Sequence, residues 1–207
     1  SGLCAAADIE AWAKPVDGKV LDWRRDIHQF PELGNREFRT SKLVAEHLKS
    51  LGLEVKTGVA HTGVTAVLRG GKPGPRIGLR AAMDALRVTG RSGLPFESKQ
   101  TAEFRGQKTG VMHACGHDSH TAILMGVAEA MAKNKADIPG EVLFIFQPAE
   151  EGPPDGETGG ADQQGGAAGS NTVVTEATPP IHRSTPRTWR ARAMMAGSAG
   201  RNSRTSP

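Results

Sequence analysis

Glu141 to Phe146 reads Glu-Val-Leu-Phe-Ile-Phe, a continuous apolar run with no alternation of polar and apolar positions. A strand that offers no polar face is buried on both, so it belongs inside a sheet that is covered above and below. The rest of the chain supplies the cover. Val20, Leu21, Trp23, Ile27 and Phe30 recur at near-helical spacing and Pro31 stops that helix. Phe38, Leu43, Val44, His47, Leu48 and Leu51 mark a second helix from about Arg36 to Ser50, with Gly52 placed as a left-handed C-terminal residue. Leu53 to Val59, Gly63 to Leu68 and Arg76 to Ala82 predict strands, and Gly70 to Pro75 a hairpin or tight connection. Val88 to Gly110, polar with scattered glycine, predicts a surface excursion. Ser119 to Lys133 predicts a third helix, with Ile123, Leu124, Val127 and Met131 on one face. Helices alternating with strands indicate an α/β sandwich, in which ligands collect beyond strand ends.

Charge divides the chain in two. Residues 1–160 carry 20 Lys+Arg and 20 Asp+Glu, whereas residues 161–207 carry six Arg against Asp162 and Glu176, so the formal +4 belongs to the tail. The folded part has no basic stripe interleaved with aromatics, which excludes nucleic acid as the main partner. No apolar run reaches the ~20 residues that span a bilayer, which predicts a soluble protein, cytoplasmic or periplasmic, with no membrane partner. Cys4-Ala5-Ala6-Ala7 resembles the small-residue end of an export signal, and residues 1–15 are expected to be a flexible N-terminus. From Ala161 onward there is no Leu, Phe or Lys, and residues 163–207 are expected to be disordered. Two cysteines, Cys4 and Cys115, make no disulfide framework, and Cys115 is expected reduced.

Chemistry concentrates in two motifs. His113-Ala114-Cys115-Gly116-His117-Asp118 places a thiol and an imidazole two residues apart, so an extended segment projects both to one side, and Gly116 lets the backbone pass close to an ion. The motif sits at the mouth of the third helix, where free N–H groups and the helix dipole favour a thiolate. Glu150-Glu151 follows His117 by 34 residues, at the end of the apolar strand. Cys, His and a carboxylate suit a borderline-soft dication such as zinc, and a second carboxylate can take a proton from water. Asp84, just after a strand, can orient a ligating imidazole. His113 and His120 are expected to be hydrogen-bonding scaffold residues, and His28 and His47 structural. Cys115 with a neighbouring histidine also reads as a nucleophilic dyad without metal, although no oxyanion-hole sequence accompanies it.

Four ordered blocks carry a family resemblance: Arg24 to Leu33, Gly78 to Leu86, Met112 to Thr121 and Phe146 to Gly152. Over Trp23 to about Asp162 the chain resembles the metal-dependent amidohydrolases of the aminoacylase and carboxypeptidase family, in the branch of hippurate hydrolases and auxin-conjugate hydrolases. The resemblance implies an α/β fold, a three-layer sandwich with a mixed central sheet as in zinc exopeptidases, here incomplete, with residues 16–162 the N-terminal part of the catalytic domain. It implies two divalent metal ions (Zn, Mn, Co or Ni), with Cys115 bridging them, His117 and Glu151 each holding one, Glu150 as general base and Asp84 supporting the site. The implied substrate is an N-acyl amino acid or similar amide or peptide, and full-length relatives are implied to be homo-oligomers.

The chain also departs from that family. An acidic residue is usual where Ala82 stands, Pro where Arg87 stands and His where Phe30 stands. Family members are longer, with two further histidine ligands and a lid domain that binds substrate and mediates dimerisation. His182 does not match a family motif. The change after Asp162 suggests a reading-frame change or a fusion. Two rival readings follow: an inactive truncated remnant binding at most one metal, and a metal-independent hydrolase acting through Cys115.

Overall fold

The apolar run lies at the middle of the sheet. In a computed structural model that describes residues 8–157 and the backbone of 173–176, seven strands form: β1 Glu54–Val59, β2 Gly63–Arg69, β3 Lys72–Ala82, β4 Thr101–Phe104, β5 Gln107–Gly110, β6 Pro139–Gln147 and β7 Val173–Glu176. The main sheet has the order β1-β2-β6-β3-β7. β1 and β2 are antiparallel, as are β2 and β6, while β3 runs parallel to both β6 and β7. The sheet is therefore mixed. Five successive β6 residues, Val142 to Phe146, are buried, as expected of a strand flanked on both sides.

The helices are α1 Ile9–Ala13, α2 Asp17–Gln29, α3 Phe38–Ser50 and α4 His117–Lys133. Val44 and Leu48 of α3 and Leu124, Met125 and Ala128 of α4 pack on Val64, Ala66, Leu68, Ala81, Val142, Phe144 and Phe146. These strand residues alternate along β2 and β6, so they share one sheet face. Leu143 and Ile145 point to the opposite face and meet Val67. Among the described residues the helices cover one face, so two layers of the expected three are present.

Several expectations are corrected by this arrangement. Of the two readings of Gly70 to Pro75, the hairpin fails, because β6 inserts between β2 and β3, and the tight connection holds, with β3 beginning at Lys72. The 88–110 excursion ends in a two-stranded β4–β5 hairpin. Within residues 1–15, expected to be flexible, Ile9–Ala13 form α1 and Lys14 opens a 3₁₀ turn, and Trp12 packs against the core. Val173–Glu176, inside the stretch expected to be disordered, pairs with β3 from Ile77 to Arg80. α2, α3 and Gly52, left-handed at φ 74°, follow the sequence reading. No helix among the described residues is long and apolar enough to cross a membrane. Cys4 and His182 lie outside the described residues.

Candidate metal centre

β3 and β6 run parallel and deliver their C-terminal ends to the same side of the sheet, so Asp84 and the Glu150-Glu151 turn emerge next to each other. Met83 extends the pairing by donating its N–H to the Gln147 carbonyl at 2.9 Å. The third component is the head of α4. Gly116 is its N-cap at φ 100°, a left-handed conformation that a Cβ would strain, and its carbonyl accepts from Ser119 and His120 at 3.0 and 3.1 Å. The reversal at Gly116 sets Cys115 and His117 beside the two strand ends.

One Cys115, one His117 and one Glu151 ligand atom all lie within 4.8 Å of one another. Ligands at 2.0–2.3 Å from one ion stand roughly 3–4.6 Å apart, so small side-chain adjustments suffice to share a cation. The His117 ring is oriented from behind. Its Nδ1 lies 2.8 Å from the Asp84 carbonyl and 3.3 Å from Asp84 Oδ1, which fixes the proton on Nδ1 and leaves the Nε2 lone pair facing Glu150 Oε2 at 3.6 Å and Glu151 Oε1 at 3.9 Å. Asp84 itself is buried and accepts the Glu151 N–H on Oδ2 at 2.8 Å. It lies behind the ligands and touches His117 and the Glu151 backbone, where it can orient both.

Electrostatics shows what this donor set lacks. The Cys115 thiol is pushed up to about 11, first by its hydrogen bond to Glu151, then by burial and by the charges of Glu151, Glu150 and Asp84. The helix-terminus effect expected to favour a thiolate is thus outweighed by three carboxylates. Burial opposes charge on His117, yet Asp84 and Glu150 prevail and its pKa is raised. A thiol, an imidazole and a carboxylate gathered within negative surroundings fit a divalent cation, which neutralises the cluster and replaces the thiol proton. Glu150 is open to solvent, with 40 % of its side chain exposed and Arg80 Nη2 4.0 Å from Oε1.

The surrounding histidines divide. His28 Nδ1 meets Asp118 Oδ2 at 2.7 Å, with Arg24 Nε 3.1 Å from the same oxygen, and His47 Nε2 contacts the Met125 carbonyl at 3.2 Å. Both fit the structural reading. The His120 ring stands 5.7 Å from that of His117. His113 does not fit a scaffold role: it is buried, neither ring nitrogen has a hydrogen-bond partner among the described residues, and burial pulls its pKa down to about 4.

Sequence reasoning missed Glu37. It is fully buried, takes the Ala149 N–H on Oε1 at 2.8 Å and the Thr62 hydroxyl on Oε2, and so holds the backbone immediately before Glu150. Ala149 sits at φ 48°, an uncommon conformation for alanine. Gly34 closes the same contact, since a Cβ there would meet the Gly152 carbonyl oxygen at 2.8 Å.

The profile of peptidase family M20/M25/M40 matches residues 78–177, from within β3 through all three clustered ligands and past β7. Residues 78–177 belong to the M20 family. The match passes residue 162, where the likeness was expected to end. Thermostable carboxypeptidase 1 of Saccharolobus solfataricus is 48% identical over 155 residues, covering 74% of this chain and 35% of that protein. The N-acetyl-L-cysteine deacetylase of Bacillus subtilis is 40% identical over 136 residues, covering 66% and 31%. A crystal structure of a dinuclear metal-binding M20 peptidase from Bacillus subtilis superposes with a TM-score of 0.58 at 39% identity, over 70% of this chain and 37% of that one. The chain spans about a third of the length of the curated M20 relatives it matches.

Proposed function

We propose that this chain carries the metal-binding part of an M20 amidohydrolase that cleaves the amide bond of N-acyl amino acids or related peptides. The convergence of Cys115, His117 and Glu151 carries this reading. Those three residues would hold divalent cation, Cys115 as thiolate, and the M20 relative named as dinuclear supports a site for two ions. When bound, the cation supplies Lewis acidity toward a carbonyl oxygen and toward water.

The remaining roles fall to the protein's own groups. Glu150, beside His117 Nε2 and open to solvent, accepts a proton from the attacking water as its oxygen bonds to the carbonyl carbon. It returns that proton to the amide nitrogen as the C–N bond breaks, so acid and amine leave and Glu150 is restored. Asp84 holds His117 in the Nδ1–H tautomer and fixes the Glu151 backbone. Arg80, at 4.0 Å, steadies the Glu150 carboxylate.

A metal-free reaction through Cys115 fits less well, because a thiol held near 11 provides little nucleophile at neutral pH. The test is equilibrium dialysis against zinc or manganese, followed by turnover of an N-acyl amino acid. Cation binding that is lost in Cys115→Ser, with hydrolysis abolished by Glu150→Gln, is the expected result. No cation binding, or turnover that survives chelator, would reject the reading. Binding of one ion without turnover would support the remnant.

A further inference from the structure

α3 begins with an acid that does not cap it. Glu37 is the N-cap residue, yet its side chain makes no bond to the first turn. Glu32 takes that part instead, accepting the Arg39 N–H on Oε1 at 2.9 Å and the Thr40 N–H on Oε2 at 2.8 Å. Glu37 is thereby free to turn inward, where it is fully buried against Thr62 and Ala149. Burying a carboxyl group is costly, and helix capping does not account for it here.

The residues just before Glu37 grip the same loop. A Cβ on Gly34 would stand 2.8 Å from the Gly152 carbonyl oxygen and 3.1 Å from the Ala149 Cα. Asn35 Nδ2 donates to Glu157 Oε2 at 2.9 Å, and Arg36 spans both oxygens of that carboxylate at 2.6 and 3.1 Å. Backbone strain gathers around this contact. Five non-glycine residues among those described are left-handed: Asn35 at φ 58°, Ala60 at 49°, His61 at 73°, Arg105 at 51° and Ala149 at 48°. All but Arg105 belong to the stretches that Glu37 ties together: its own approach, the turn that leads into Thr62 and the turn that leads into Glu150. Such conformations persist where the surrounding structure over-determines them, and they concentrate where a functional group must be held in place.

We propose that Glu37 is the positioning residue of the general base, holding through the Ala149 N–H the turn from which Glu150 projects. The assignment rests on the reading of Glu150 as that base. It divides the turn between two acids with no hydrogen-bond partner in common: Glu37 bonds Ala149 and Thr62, and Asp84 bonds Glu151 and His117. Loss of Glu37 therefore loosens Glu150 and leaves the cation ligands in place. A carboxylate on an unrestrained loop loses the fixed distance that proton transfer needs, and a misplacement of about 1 Å can cost roughly a hundredfold in rate.

The test reads the turn in the whole chain without metal, by ¹⁵N relaxation and amide exchange, and reads zinc uptake separately by dialysis. In Glu37→Ala the order parameters of Ala149 and Glu150 are expected to fall below about 0.6, from rigid-backbone values in the original chain. The Ala149 N–H is expected to exchange about tenfold faster or more, the worth of its bond to a carboxyl group. Glu37→Gln, which keeps an acceptor, is expected to restore both, and zinc affinity is expected to stay unchanged in either variant. Where Glu37→Ala does not fold, Glu37→Asp, shorter by one methylene, is read in the same way. A turn as ordered in Glu37→Ala or Glu37→Asp as in the original chain would overturn the proposal. So would a Glu37→Gln no better than Glu37→Ala, loosening that spreads to the Phe144 amide, or a zinc affinity that falls with the order of the turn. Dialysis separates the two readings: a turn that depends on Glu37 in a chain that takes up no zinc upholds the positioning and defeats the metal centre. Zinc uptake with a turn indifferent to Glu37 does the reverse.

Discussion

Glu37 is a buried acid that ought to make the fold less stable as pH rises, and Glu37→Gln measures the effect. Burial is the main reason its carboxyl is raised to about 7 from an ordinary 4.5, hydrogen bonds from Thr62 and the Ala149 N–H pull the other way, and the Asp84 charge adds to the rise. Between those two values the folded chain binds a proton that the unfolded chain has lost. Stability is fully present below about 4.5, falls as pH climbs and levels off above about 7. A displacement of that size corresponds to about 3 kcal/mol. Glutamine keeps an acceptor for the Ala149 N–H and does not titrate. The stability of the original chain minus that of Glu37→Gln should therefore drop by about 3 kcal/mol between pH 4.5 and 8. Urea unfolding at intervals of half a pH unit yields this difference, and groups common to both proteins cancel in it. Glu37→Ala strips both donors of their acceptor and should cost about 1–3 kcal/mol for each. A difference between the original chain and Glu37→Gln that stays level with pH would refute the reasoning.

Three further outcomes follow from the same geometry. Asp84→Ala keeps the backbone carbonyl that accepts from His117 Nδ1 but removes Oδ1, 3.3 Å from that nitrogen, and Oδ2, which takes the Glu151 N–H, and should weaken zinc binding by about 10-fold in dialysis; unchanged affinity would mean that the carbonyl alone orients His117. Zinc uptake at pH 7 should release a proton, since the Cys115 thiol near 11 must give its own up, and affinity should rise with pH; an indicator dye that registers no release would contradict the ligand set. Phe144→Ala, at the fully buried centre of β6, should cost about 3–5 kcal/mol in urea unfolding, and a loss below 1 kcal/mol would place the core elsewhere.

How much was legible in the sequence depended on whether the signal was local. The β6 run could be read because five apolar residues in a row leave a strand no solvent face, and the helices could be read from the spacing of Ile27, Val44, Leu48 and Leu124. Strand order could not. Whether β2 pairs with β3 or with β6 is decided by which neighbour completes the face under α3 and α4, a long-range choice with no mark in Gly70 to Pro75. Cys115, His117 and Glu151 were recognisable by residue type and by position at helix and strand ends. Glu37 was not, because a glutamate between Arg36 and Phe38 at the head of a helix reads as a solvated surface residue, and its buried partners, Thr62 and Ala149, lie far off in the sequence. The helix-dipole argument for a Cys115 thiolate failed for a related reason. It counted the near helix terminus and missed three carboxylates brought in from residues 84, 150 and 151.

The two buried carboxylates act on the same short turn from opposite sides. Glu37, entering with α3, accepts the Ala149 N–H, and Asp84, leaving β3, accepts the Glu151 N–H, each at 2.8 Å. Glu150 is the residue between. Its backbone is thus gripped one residue before and one residue after, while its side chain stays exposed. A general base must hold a fixed position and still meet solvent, and those demands conflict in an ordinary loop, where exposure brings mobility. Here they are divided between atoms: buried acids restrain the flanking amides and the carboxylate itself is left open. The same division explains why Asp84 and Glu37 sit out of reach of substrate yet close to the chemistry. Rigidity at Glu150 comes from hydrogen bonds that solvent does not compete for, and it does not depend on neighbours that would block the proton's path.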